Sequence, residues 1–104
     1  MDAVTAVSGS GPAYVFKFIE DLQDAAVKLG LKSDVAARLV FQTLKGSLKL
    51  FEQEKSSAGE LRQRVASKGG TTQAALDVLK ARQINKVYQQ ALKAAQKRAR
   101  ELSR

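Results

Sequence analysis

Cysteine, histidine and tryptophan are absent from the 104 residues, and each absence removes chemistry. Without Cys there is no disulfide, no thiolate nucleophile and no zinc–thiolate site. Without His there is no imidazole base and no Ser-His-Asp triad. No metal site is expected. The lack of Cys is compatible with a reducing cytoplasm, and a cytoplasmic setting is the expectation. Proline occurs once, at Pro12. Long hydrophobic runs are also missing. The longest nearly apolar stretch, residues 13–19, contains Lys17 and is too short to span a bilayer. The opening MDAVTAVSGSGP has no basic region before an apolar run, so no secretory signal is read and no membrane partner is expected.

What is present favours helix. Sixteen residues are Ala, the best helix former. No segment alternates apolar and polar residues over strand length, which predicts an all-α protein. The length suits one domain. A domain of this size buries only about two-thirds of its unfolded surface, so a partner chain would help it.

Charge is unevenly spread. Residues 1–54 hold six Lys/Arg and seven Asp/Glu, whereas residues 55–104 hold twelve and three, for a net charge of +8. A basic half raises the question of nucleic acid. The charges alternate with core positions, which favours a solvated face instead, and nucleic acid is not the expected partner. Glu20, Asp21 and Asp24 fall on the exposed side of one helix by spacing, and Glu52 and Glu54 close another. All five read as solubility charges.

The punctuation divides the chain into a bundle of about five helices. Asp2–Val7 has short helical propensity, ended by Ser8-Gly9-Ser10-Gly11-Pro12. Ser10 reads as an N-cap and Pro12 as the first position of a helix running to about Leu29. Tyr14, Val15, Phe18, Ile19, Leu22, Ala25, Ala26 and Leu29 recur at helical spacing, and Phe16 widens the apolar face. A helix greasy on more than one face suggests burial on two sides, as at a subunit interface. Gly30 stops it. Ser33 reads as the cap of a second helix, with Asp34 in its first turn. Gly46 inside that helix costs roughly 1 kcal/mol relative to Ala, which close approach of another helix would offset. A short helix over Glu60–Ala66 follows the break at residues 56–59. A fourth starts near Thr71-Thr72, with Ala75, Leu76 and Leu79 pointing inward. Arg82-Gln83 marks a bend, and the last helix runs from about Ile84 into a basic tail of Lys97, Arg98, Arg100 and Arg104.

The break Ser67-Lys68-Gly69-Gly70-Thr71-Thr72 is the most informative segment for function. Adjacent glycines let backbone approach a ligand. The first N–H groups of a helix are unpaired and carry partial positive charge, which suits a carboxylate or phosphate. The threonines add hydroxyls that donate and accept. Physics alone leaves an ordinary capped loop as the competing reading. No dinucleotide fingerprint is present, because Gly9-x-Gly11 lacks the third glycine and no strand precedes it. The pattern of a P-loop is absent too.

Two segments resemble one family. Asp2-Ala3-Val4-Thr5-Ala6-Val7-Ser8-Gly9-Ser10-Gly11-Pro12-Ala13-Tyr14 is similar to the opening of the C-terminal domain of pyrroline-5-carboxylate reductases, and Val65-Ala66-Ser67-Lys68-Gly69-Gly70-Thr71-Thr72 resembles their substrate loop. The resemblance covers essentially residues 1–104. It implies a helical dimerisation domain that interlocks with a second copy, in an enzyme that reduces 1-pyrroline-5-carboxylate to L-proline with NADPH or NADH. It implies that Ser67, Gly69, Gly70, Thr71 and Thr72 hold the small carboxylate substrate, that Val65 lines its pocket, and that Thr72 is the catalytic contact to the ring nitrogen. The family's cofactor is held by an N-terminal Rossmann domain, so no cofactor is expected to bind these 104 residues, and they are expected to be inactive alone. Lys68 stands where Pro is frequent and reads as pointing to solvent. Arg82-Gln83-Ile84 replaces a common Gly-Gly-Phe-like turn. Two other readings compete with this one: a basic helical module for nucleic acid, and an excised or engineered scaffold with a vestigial loop.

Overall fold

The computed structural model describes residues 2–67 and 70–103. Among them there is helix and no strand, as the all-α reading expects. A short helix α1 (Asp2–Val4) passes into a π-helical turn (Thr5–Gly9) and then into five longer helices. These are α2 (Gly11–Lys28), α3 (Ser33–Gln53), α4 (Ala58–Ala66), α5 (Gly70–Ala81) and α6 (Ile84–Leu102). No described helix is long and apolar enough to cross a membrane.

The ends of the helices follow their local chemistry, with some departures from the sequence reading. Gly30 has φ of +107°, a conformation that costs a side-chain-bearing residue dearly. Its N–H donates to the Val27 carbonyl at 2.9 Å and closes α2. Ser33 is not the cap of α3. Lys32 takes that place in extended conformation, and its carbonyl accepts the Ala36 N–H at 2.9 Å. Asp34 does sit in the first turn. Ser10 works through its backbone: its N–H reaches the Thr5 carbonyl and its own carbonyl takes the Ala13 N–H, both at 3.0 Å. At α4 the Ser57 hydroxyl accepts the Glu60 N–H at 3.1 Å, while the Glu60 carboxylate accepts the Ser57 N–H at 3.0 Å. This reciprocal capping box satisfies two donors that a helix start leaves unpaired. Those bonds from Ser57 hold the Glu60 carboxyl below the usual carboxylate range.

The chain forms two compact units. One runs through Tyr14 and resumes at Ala66; the other is Val15–Val65. In the first, α1 and the π-helical turn lie against α6, and α5 meets α6. Ala6 is buried there. The Tyr14 hydroxyl donates to the Ala6 carbonyl at 2.8 Å, and Arg100 reaches Asp2 at 3.3 Å. In the second unit Ala36 and Val40 of α3 are buried. Arg64 in α4 bonds the Glu54 carboxylate at 3.4 Å and the Ser56 hydroxyl at 3.2 Å, which fixes α4 to the segment before it.

The apolar stripes that the periodicity predicts are present, but the single chain leaves many of them open. Phe16 is 68% exposed and Leu29 86%. Phe18, Leu22, Leu39, Phe41, Leu48 and Phe51 are also exposed. Leu79 and Ala75 do not point inward as the sequence suggests: both are exposed, and only Leu76 is half-buried. A Cβ placed on Gly46 would meet no atom within 4 Å, so no other described part of this chain approaches it closely. Burying a large aliphatic or aromatic side chain stabilises by about 1.5–3 kcal/mol. Exposed apolar faces of this extent are a surface for another chain.

Candidate functional site

The connection from α4 to α5 carries the residues singled out by the sequence. Val65 lies in the last turn of α4 and is exposed, and Ser67 forms the turn that follows. Gly69 and its neighbour Lys68 fall outside the described residues, so the reading of Lys68 as solvent-facing rests on sequence. Helix α5 begins at Gly70, one residue before the threonines. Gly70, Thr71 and Thr72 are therefore consecutive residues of one helical first turn.

This turn has the electrostatics of an anion site. No acidic residue occupies it, so nothing within it neutralises the partial positive charge of the unpaired N–H groups. A Cβ on Gly70 would stand in open space, which leaves the backbone of the first turn open to a ligand. Thr71 is exposed and Thr72 is half-buried. The Gln73 side-chain amide donates to the Asp77 carboxylate, one turn further along, at 2.8 Å. The groups assembled here are N–H donors and two hydroxyls. They suit binding and orienting a small carboxylate, and they include no side chain that titrates near neutral pH.

The second helix start that the sequence pointed to, at Ser8–Gly11, is built differently. The π-helical turn occupies Thr5–Gly9, and the Ser8 hydroxyl is spent on the Val4 carbonyl at 2.9 Å. Sequence reading passed over this turn and the Tyr14 bond that supports it. It also passed over the capping box, although Ser57-x-x-Glu60 is its ordinary signature. Among the described residues no group of carboxylates gathers into a metal site.

Residues 1–102 match the family model described as pyrroline-5-carboxylate reductase dimerisation. The chain is 45% identical over 103 residues to a pyrroline-5-carboxylate reductase of Pseudomonas aeruginosa, covering 99% of this chain and 38% of that protein. It is 40% identical over 104 residues to one of Synechocystis, covering 100% and 39%. Among solved structures, the Plasmodium falciparum pyrroline carboxylate reductase with NADP bound superposes with a TM-score of 0.95 at 36% identity, over 100% of this chain and 40% of that one. A Coxiella burnetii pyrroline-5-carboxylate reductase gives 0.93 at 43% identity, over 99% and 38%. The chain thus spans about two-fifths of the length of the relatives it matches.

Proposed function

The chain belongs to the pyrroline-5-carboxylate reductase dimerisation family, and we propose that residues 1–104 are the C-terminal dimerisation and substrate-loop domain of an enzyme that reduces 1-pyrroline-5-carboxylate to L-proline with NADPH or NADH. The observation that carries this reading is the match over residues 1–102. The open apolar faces of α2 and α3 support pairing with a second copy, as a homodimer or a multiple of it.

In this reading the first turn of α5 holds the substrate carboxylate through the N–H groups of Gly70, Thr71 and Thr72, with Ser67 and Gly69 completing the loop. Val65 lines the pocket. The Thr72 hydroxyl contacts the ring nitrogen, fixing the imine so that its carbon faces the incoming hydride. The residues of this chain do not fit the nicotinamide cofactor. They supply no strand–glycine loop–helix unit among those described, and holding the cofactor falls to another part of the enzyme. When bound, that group supplies the hydride; the 104 residues supply position and charge. The same reading makes these residues inactive alone and sets the enzyme in the cytoplasm.

A chimera tests the proposal. This chain replaces the matching segment of the Pseudomonas aeruginosa enzyme, and NADPH oxidation by pyrroline-5-carboxylate is followed. Turnover in the chimera, with none from the 104 residues alone, is the expected result. A folded, dimeric chimera without turnover would overturn the proposal.

A further inference from the structure

Residues 55–104 carry twelve cations against three carboxylates, and all three carboxylates are already engaged. Glu60 accepts from Ser57 at 3.0 Å, Asp77 from Gln73 at 2.8 Å, and Glu101 faces Arg98 at 3.7 Å. Arg100 is tied to Asp2. On α6 this leaves Lys86, Lys93 and Lys97, all exposed, with no carboxylate in ion-pair range among the described residues. At the helical repeat they fall within about 40° of one another around the axis and span about 16 Å along it. Ile84, Ala91, Ala95 and Leu102 take the opposite side by the same spacing. Lys93 and Lys97, four residues apart, repel each other, which weakens an isolated helix.

We propose that this lysine row is a contact surface for the phosphate backbone of nucleic acid. A strand offers one phosphate per roughly 3.4 Å of axis, so about five lie within reach of the row, enough for three ammonium contacts. Such contacts hold the backbone without reading its sequence. An anionic membrane fits less well. A helix that lies in a bilayer surface needs a free apolar side opposite its cations, and here Ile84, Leu92, Ala95 and Ala99 on the far side of α6 are half-buried. Helix α6 also turns part of its surface to α1 and the π-helical turn. Composition alone favours a solvated face; the alignment of three unpaired lysines changes that reading.

Fluorescence anisotropy of the chain with a labelled 20-base-pair DNA duplex of arbitrary sequence tests the proposal. Affinity is expected to fall about 20-fold between 50 and 150 mM salt, as release of three counterions requires. The variant K86Q/K93Q/K97Q is expected to lose most of that salt dependence and about 10-fold or more in affinity at 50 mM salt. The control K28Q/K32Q/K49Q removes the same charge from exposed positions of the first half, and its affinity should stay within about twofold. Circular dichroism establishes that both variants keep their helix. Equal loss in the two variants would overturn the proposal by reducing it to net charge. Unchanged binding by K86Q/K93Q/K97Q, no binding at 50 mM salt, or tighter binding to phosphatidylserine vesicles than to the duplex would also overturn it.

Discussion

The Tyr14 hydroxyl donates to the Ala6 carbonyl across eight residues at 2.8 Å. Ala6 lies in the π-helical turn and is buried, so this carbonyl has little access to water. Tyr14→Phe keeps the ring and removes the donor. It is expected to cost about 1 kcal/mol, and more if the carbonyl is left unsatisfied. Urea denaturation checks this, and an unchanged midpoint would show that the bond adds nothing to the turn.

Gln83 has φ of 57° and ψ of 49° before α6. A side chain costs roughly 1 kcal/mol or more in that left-handed conformation, and glycine does not. Gln83→Gly is expected to raise stability by up to about 1 kcal/mol, read as a higher denaturation midpoint with helicity unchanged.

The capping box at α4 gives a pH dependence. The folded Glu60 carboxyl titrates below its unfolded value because Ser57 bonds the charged form. Its contribution is therefore full above the unfolded carboxylate range and is lost as pH falls through the folded value. Ser57→Ala removes the cap, is expected to cost about 1 kcal/mol near neutral pH, and should flatten the acid limb of the stability curve. Equal acid sensitivity in the wild type and the variant would sever this link.

Thr72 sits in the first turn of α5. In a complete enzyme carrying this domain, Thr72→Ala is expected to lower turnover about 100-fold, the scale of losing one oriented polar contact. Assembly should be unchanged by light scattering. Undiminished turnover would remove Thr72 from the mechanism.

Phe18 and Leu22, one turn apart on α2, are 42% and 38% exposed. Phe18→Asp is expected to shift the chain toward monomer across a concentration series, because a carboxylate buried at a subunit interface finds no partner there. A variant of undiminished mass would place the interface elsewhere.

Much of this architecture is legible in the sequence because punctuation and periodicity agree. Gly30 ends α2, the 67–72 break separates α4 from α5, and Arg82-Gln83 separates α5 from α6. The loop's character as a helix start follows from its glycines and threonines alone. Its role does not, because a bare helix start and a substrate site share the same physics. Periodicity also marks Leu79 and Phe18 as residues to be covered without saying by which chain. The π-helical turn escapes sequence reading because much of its support is distant: α6 lies far from Ala6 along the chain, and the Tyr14 bond eight residues on follows no helical spacing. The cap of α3 shifts from Ser33 to Lys32 because backbone conformation decides it, and hydroxyl chemistry alone does not.

The packing of α1 and the π-helical turn on α6 has a consequence for the order of events on the ribosome. Asp2 meets Arg100 across 98 positions of sequence, so on the ribosome Asp2 emerges long before the residue it pairs with. Residues 15–65 emerge with their local contacts available, whereas the unit built from both ends closes only after α6 has left the exit tunnel. Until then the Ala6 segment is exposed nascent chain, and its burial follows the emergence of α6.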